Sequence, residues 1–190
     1  MDTETFTTFF VWLALACNVA TAALVVALVA APRVSAARSF VATMGESALP
    51  LAAAVALVAT AGSLYYSEVA HFVPCRYCWF QRIFMYPLAV VLPVAAVRRD
   101  PSIRWYALPL AAIGAGFSVY HYLLQRYPDL AGASSCDLAA PCTAAYVWKY
   151  DFVSIPYMAG SGFVFIGLLL LATITNARIT RERSTTEVPA

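Results

Sequence analysis

The chain has 190 residues, of which 62% are hydrophobic and only 12% are charged, with a mean hydropathy of +0.74. A soluble domain carries about 25% charged residues, so this composition excludes an ordinary soluble globule and predicts one integral membrane domain. The formal net charge of +2, without a Lys/Arg stripe interleaved with aromatic residues, argues against nucleic-acid binding.

Five apolar runs approach the roughly 20 residues that a helix needs to cross a bilayer. They are continuous rather than alternating, which favours helices. The runs are Phe6–Ala31, Ala48–Tyr66, Trp79–Val97, Ile103–Leu124 and Ile155–Leu171. The first run has an acidic flank and exceeds the apolar core of a signal peptide, so we interpret it as a retained helix.

The segments between the runs are predicted to be irregular. Pro32–Ser47 is interpreted as a short connection, and Gln125–Ser154 as the longest loop, because it contains several Pro, Gly and Ser residues. The polar segment Asn176–Ala190 is interpreted as a tail without regular structure.

Basic residues predict the orientation of the chain in the membrane, because Lys and Arg concentrate on the cytoplasmic side. One set of flanks holds Arg33, Arg38, Arg98, Arg99, Arg104, Arg178, Arg181 and Arg183, and the opposite set holds Arg76, Arg82, Arg126 and Lys149. The larger set is therefore assigned to the cytoplasm. The amino terminus and all the loop cysteines then face outward, into a compartment that permits disulfides.

Four of the five cysteines form two close pairs beside apolar runs. Cys75 and Cys78 have the spacing of redox-active dithiols and of zinc sites. Cys136 and Cys142 lie in the long outer loop. Two dithiols beside a bilayer predict electron transfer between protein thiols and a compound dissolved in the lipid. Cys17, in the middle of the first run, is interpreted as a small buried apolar residue.

The first pair precedes an apolar helix that carries an arginine. Cys78 is predicted to lie in the first turn, where the helix dipole and unpaired N–H groups favour a thiolate. Arg82 follows four residues later on the same face. An arginine within a span is a candidate functional residue, stabilising the Cys78 thiolate and hydrogen-bonding a bound acceptor, although it can also snorkel to the head groups. Gln81 either donates a second hydrogen bond to the acceptor or serves helix packing.

The second pair admits three interpretations. Cys136 and Cys142 can form a structural disulfide, can exchange disulfides with the first pair, or can join the first pair in a zinc site. A long loop beside another dithiol favours the exchange, and nothing in the sequence resembles a compact zinc ribbon or finger, so no metal is predicted.

Three stretches carry a resemblance to a known family. They read Cys75-x-Tyr77-Cys78-x-x-Gln81-Arg82-x-x-Met85-Tyr86-Pro87, His121-x-x-Leu124-Gln125-x-Tyr127-Pro128 and Ile155-Pro156. These residues resemble the DsbB family of disulfide-bond formation proteins. The resemblance implies an all-α membrane protein with a DsbB-like four-helix bundle at 48–175. It leaves an extra amino-terminal membrane helix with its cytoplasmic connection at 1–47 and a cytoplasmic tail at 176–190.

The resemblance also implies a function. The chain would be a multi-pass thiol:quinone oxidoreductase of the cytoplasmic membrane that reoxidises a DsbA-like thioredoxin-fold partner and reduces ubiquinone or menaquinone. Cys136 would form the mixed disulfide with the partner, and Cys142 would exchange with Cys75. Cys78, beside Arg82, would then face the quinone.

His121 matches a family histidine near the quinone pocket, although it can also be a polar side chain at the outer end of a helix. Two features depart from the family pattern. The first helix has no assigned role, and the spacing between Cys136 and Cys142 is shorter than in the best-known members, which leaves the order of exchange open.

Two other functions remain. The first is a vitamin-K-epoxide-reductase-like enzyme, against which the Gln81-Arg82 pair directly after the dithiol argues. The second is a membrane scaffold or small transporter with structural disulfides. The sequence lacks paired acidic residues within its apolar runs, which argues weakly against a proton-coupled transporter.

Overall fold

A computed structural model of the chain describes residues 2–130 and 141–186, with side chains as far as residue 177. It confirms the all-α membrane fold, because five helices are long and apolar enough to cross a membrane. They are α1 Thr3–Ala30, α2 Ser35–Leu64, α3 Arg76–Arg98, α4 Arg104–Arg126 and α5 Ile155–Thr186. In these described ranges, strand pairing is limited to one bridge between Lys149 and Val153.

Helix α2 begins earlier than the sequence predicted. The expected connection at 32–47 is helical from Ser35 onward, because Val41 is fully buried against Ala27 and Ala31 of α1. The predicted boundary between residues 47 and 48 therefore falls inside a helix. The backbone of α5 likewise continues to Thr186, since residues 172–186 include neither Pro nor Gly to interrupt it.

Helices α2 to α5 form a four-helix bundle, and α1 packs in the groove between α2 and α5. The core contains fully buried large side chains from α3 and α5, among them Leu88, Leu92 and Ile166. Helices α4 and α5 approach closely at Gly114, where an added Cβ would lie 2.3 Å from the Phe163 ring. Small residues allow this close packing of membrane helices.

The ends of the helices bring the predicted functional segments to one end of the bundle. A π-helical turn, Tyr65–Val69, follows α2, and the short segment at 70–75 leads into α3. Glu4, near the start of α1, forms an ion pair with Lys149 in the loop before α5. The amino terminus of α1 therefore lies at the same end of the bundle as the start of α3 and its cysteines.

Candidate functional site

The first cysteine pair forms the amino-terminal cap of α3. Cys75 has extended backbone geometry, and its Sγ accepts a hydrogen bond from the Cys78 backbone N–H at 3.4 Å. The two Sγ atoms lie 3.2 Å apart. Cys78 thus lies in the first helical turn, where the N–H groups and the dipole stabilise negative charge on a sulfur.

His121 of α4 contacts this pair from the other side. Its Nε2 lies 3.4 Å from the Cys75 Sγ, and the side chain is 1% exposed. It is therefore a buried neighbour of the dithiol rather than a side chain open to solvent. Its Nδ1 atom is buried and has no hydrogen-bond partner among the described residues.

The surroundings of Cys75 decide which sulfur carries charge. The hydrogen bond to Cys78, together with burial, raises the pKa of Cys75 from 9.0 to about 12, although the contact with His121 acts in the opposite direction. Cys75 therefore keeps its proton at neutral pH, and its Sγ lies within hydrogen-bond distance of the Cys78 sulfur. Cys78 is consequently the member of the pair that can hold negative charge.

Cys142 of the second pair is fully buried and packs in one cluster with Cys75 and Leu124. Tyr77 and Cys78 pack against the same cluster. The structure thus brings one cysteine of the loop against the dithiol of α3. Cys136, its predicted partner, lies outside the described residues.

Arg82 is held one turn below Cys78 by contacts with α2 and with aromatic rings. Its Nε donates a hydrogen bond to the Ser63 Oγ at 3.0 Å, and a terminal nitrogen donates to the Ser63 carbonyl oxygen at 2.9 Å. The guanidinium carbon lies 5.1 Å from the Trp79 ring centroid and 6.0 Å from that of Tyr86, within the range of cation–π interactions.

A cavity of about 290 Å³ lies beside Cys78, with a lining that is largely apolar. It is bounded by α1, α2, α3 and α5 and by the segment before α3. The polar side chains that line it include Ser63, Cys78, Gln81 and Arg82, and these four come from two helices, α2 and α3. Cys78 and Arg82, predicted to share a helix face, therefore border the same cavity.

Gln81 has a structural contact as well as a position in the cavity lining. Its Nε2 donates a hydrogen bond to the Ser118 Oγ at 3.1 Å, and Ser118 in turn donates to the Gly114 carbonyl oxygen. The Gln81 amide therefore joins α3 to α4. His121, in contrast, borders a second and smaller cavity of about 10 Å³, which Cys75 and Cys78 also line.

The same dithiol has the donor atoms of a soft-metal site. The ligand atoms of Cys75, Cys78 and His121 lie within 4.8 Å of one another, and thiolate and imidazole are ligands that zinc favours.

Cys17 lines the large cavity and is half-buried.

Sequence reasoning missed Ser63, which fixes the position of Arg82, and Phe10, which lines the cavity from α1. The sequence signal that could have indicated Ser63 is a hydroxyl group within an apolar run. This signal is weak, because Ser and Thr occur in several of the spans. No pattern linked Phe10 to a cysteine pair far along the chain.

Comparisons with known proteins show which family the chain belongs to. The family model described as "Disulfide bond formation protein DsbB" matches residues 45–175. The chain is 44% identical over 112 residues to "Disulfide bond formation protein C" of Bacillus subtilis (strain 168), covering 59% of this chain and 81% of the relative.

Two further relatives extend the comparison. "Probable disulfide formation protein C 1" of Bacillus anthracis is 43% identical over 131 residues, covering 69% of this chain and 94% of the relative. "Probable disulfide formation protein" of Deinococcus radiodurans is 48% identical over 134 residues, covering 66% and 87%. No solved structure matches the chain. The fold, the dithiol at the start of α3 and these matches lead to one conclusion: the chain is a multi-pass membrane protein and belongs to the DsbB family of disulfide-bond formation proteins.

Proposed function

We propose that this protein is a quinone-dependent thiol oxidase of the cytoplasmic membrane. It takes two electrons and two protons from the dithiol of a thioredoxin-fold, DsbA-like partner outside the cytoplasm and transfers them to a membrane quinone. The observation that carries the proposal is the position of Cys78, which borders an apolar cavity on one side and the buried cluster of Cys75 and Cys142 on the other.

The cavity fits a quinone by its size and chemistry. Its volume of about 290 Å³ is close to the lower end of the range of small-molecule pockets, about 300–1,000 Å³, which are mostly apolar with a few placed polar groups. A bound quinone would supply the two-electron acceptor. The Arg82 guanidinium, fixed by Ser63, offers N–H donors and positive charge where negative charge develops on an oxygen.

The thiol end of the site is suited to disulfide exchange. Exchange requires a thiolate that attacks a neighbouring sulfur, and Cys142 packs against the dithiol of α3. In our proposal a partner thiolate attacks Cys136 of the Cys136–Cys142 disulfide, which forms the mixed disulfide and frees the Cys142 thiolate. Cys142 then attacks Cys75 of the Cys75–Cys78 disulfide, which leaves the electron pair on Cys78 beside Arg82. The second partner thiol attacks the mixed disulfide, so the partner leaves oxidised, and the freed Cys136 re-forms its disulfide with Cys142 and releases Cys75 as a thiol.

His121 serves the Cys75 side of this sequence. Its Nε2, at 3.4 Å from the Cys75 Sγ, can accept the thiol proton when the Cys75 sulfur forms a disulfide and can return a proton when that sulfur leaves one. The adjoining small cavity has room for about one water. His121 is therefore assigned to proton transfer at Cys75, and Arg82 to the large cavity.

The orientation in the membrane is part of the proposal. The positive-inside rule puts the cysteine end of the bundle outside, and the Glu4–Lys149 pair agrees with an amino terminus at that same end. Both cysteine pairs would then lie in a compartment where disulfides persist.

The test uses purified protein without oxygen, a reduced thioredoxin-fold partner, and ubiquinone or menaquinone in separate reactions. We expect one quinol for each partner disulfide formed, and no quinol with the Cys78→Ser variant. A scaffold with structural disulfides would form no quinol, and partner oxidation that continues without Cys136 would contradict the proposed order of exchange. A vitamin-K-epoxide-reductase-like mechanism would be favoured if the Arg82→Gln variant retained wild-type quinone kinetics.

A further inference from the structure

We propose that α1 forms one wall of the quinone site and contacts the bound quinone; this inference rests on the quinone-dependent function proposed above. The α1 residues that line the cavity are Phe10, Leu13, Ala14 and Cys17. Their spacing of three, four and seven residues puts them on one face of the helix. The contact is therefore a continuous helical surface rather than a single side chain.

This wall lies outside the part of the chain that the family model matches. That match covers residues 45–175, whereas α1 spans Thr3–Ala30. The remaining walls of the cavity come from α2, α3 and α5 and their adjoining segments. Because α1 packs in the groove between α2 and α5, the matched bundle alone would leave the cavity without this side.

Contacts along α1 hold the wall in a fixed register. Asn18 donates a hydrogen bond to the Tyr157 hydroxyl of α5 at 2.7 Å, and the Tyr66 hydroxyl donates to the Thr7 Oγ1 at 3.3 Å. Hydrogen bonds between membrane helices stabilise their packing. Together with the Glu4–Lys149 ion pair, they hold α1 on the bundle at its start and near its middle.

The aromatic end of the wall lies next to the polar end of the cavity. An added Cβ on Gly62 would lie 2.4 Å from the Phe10 ring, so the ring packs directly on the α2 backbone. The next residue, Ser63, accepts the hydrogen bonds of Arg82. Phe10 therefore lies near the groups assigned to the quinone oxygen, and Cys17 lies about 10 Å farther along the helix. We infer that Phe10 faces the head group and that Leu13 and Cys17 face the first part of the isoprenoid tail.

A kinetic test compares the same substitution on two sides of α1. Leu13→Trp adds bulk to the face of α1 that lines the cavity. The control is Leu15→Trp, because Leu15 lies two positions farther along α1 and does not line the cavity. We expect Leu13→Trp to raise the KM for a short-chain ubiquinone at least tenfold and Leu15→Trp to change it less than twofold. The rate of disulfide exchange with the partner should stay within twofold in both. Equal quinone KM values in the two variants would overturn the inference.

A binding test does not depend on turnover or on a bulky variant. In protein whose other four cysteines are replaced by Ser, Cys17 is the reporter for labelling by N-ethylmaleimide. The matched control moves the thiol to Val19, which is 71% exposed, by combining Cys17→Ser with Val19→Cys. We expect a short-chain ubiquinone to slow labelling of Cys17 at least fivefold and to leave the control thiol unchanged.

The two tests separate this inference from the function on which it rests. Wild-type protein that forms quinol would leave the proposed function intact, and α1 would be rejected as a wall if Cys17 were not protected or if Leu13→Trp had no effect. Wild-type protein that forms no quinol would reject both.

Discussion

Arg82 of α3 donates two hydrogen bonds to one residue of α2, Ser63, through the side-chain hydroxyl and the main-chain carbonyl. The guanidinium is thereby turned toward the bundle and the cavity rather than left to lipid head groups, which is the alternative for an arginine near the end of a span. This contact links the residue assigned to the quinone to α2, a helix without a cysteine. The geometry of the site therefore depends on how α2 packs against α3 as well as on the cysteine motif.

Replacing Arg82 by Gln should impair the quinone reaction selectively. Hydrogen bonds that involve a charged group contribute about 1.5–3 kcal/mol, so we expect quinone reduction to fall about tenfold or more. Disulfide exchange with the partner in a single turnover should stay within twofold. The control is Arg76→Gln, an exposed arginine at the start of the same helix, which should leave both rates within twofold. Wild-type quinone kinetics in Arg82→Gln would contradict the assigned role.

Replacing Ser63 by Ala should have a smaller effect of the same kind. The variant loses the hydroxyl acceptor but keeps the carbonyl that accepts the second hydrogen bond, so we expect the quinone KM to rise about threefold to tenfold at a nearly unchanged kcat, consistent with loss of roughly one hydrogen bond. Ser39→Ala, which removes the hydroxyl of an exposed serine near the start of the same helix, serves as the control. If both variants behave alike, Ser63 does not position Arg82.

The two thiols of the first pair should differ in reactivity with pH. Because its pKa is raised to about 12, Cys75 in the reduced protein should resist iodoacetamide between pH 7 and pH 9, while Cys78 is alkylated. In the Cys78→Ala variant the hydrogen bond that contributes most to this rise is absent, so alkylation of Cys75 should begin at lower pH. Mass spectrometry of the peptides measures both, and alkylation of Cys75 before Cys78 in the wild type would contradict the assignment.

The same pKa has a consequence for stability. The pKa of Cys75 is higher in the folded protein than the ordinary thiol value of 9.0. Its protonated thiol therefore contributes to the free energy of unfolding, and this contribution is complete below pH 9. Its contribution should therefore be lost as the pH rises from about 9 toward 12. Thermal unfolding of the reduced protein should show this decline, and Cys75→Ser should reduce it. An unchanged alkaline decline in Cys75→Ser would exclude Cys75 as its source.

Metal removal should leave the oxidase activity unchanged. Although Cys75, Cys78 and His121 bring three ligand atoms within 4.8 Å, the exchange we propose uses the two thiols as a redox pair. We expect less than about one-tenth equivalent of zinc in purified oxidised protein, and partner oxidation within twofold after treatment with a chelator. Stoichiometric zinc whose removal unfolds the protein would support the zinc-site interpretation instead.

The sequence predicted the spans better than their boundaries. Hydropathy located all five helices, because a continuous apolar run of about 20 residues has the length of a membrane-spanning helix. It missed the start of α2 at Ser35, because the residues before Ala48 are more polar and are held by contacts of Val41 with α1 that no local pattern encodes.

The site divides in the same way between local and distant contacts. The neighbourhood of Cys78 and Arg82 follows from helical spacing, since residues four apart share a face. The contact between Cys75 and His121 joins residues 46 positions apart, and Ser63 lies 19 positions before Arg82. Such contacts depend on which helices become neighbours, so the resemblance suggested a role for His121 without indicating that it touches the dithiol.

The most direct measurement of the central claim is a single turnover without oxygen. Fully reduced protein, freed of reductant, is mixed with one equivalent of a membrane quinone, and quinol formation is followed together with loss of the Cys75 and Cys78 thiols. We predict one quinol for each Cys75–Cys78 disulfide formed, at a rate reduced about tenfold or more in Arg82→Gln. Thiols that stay reduced in the presence of quinone, or that reoxidise without quinol, would contradict the account.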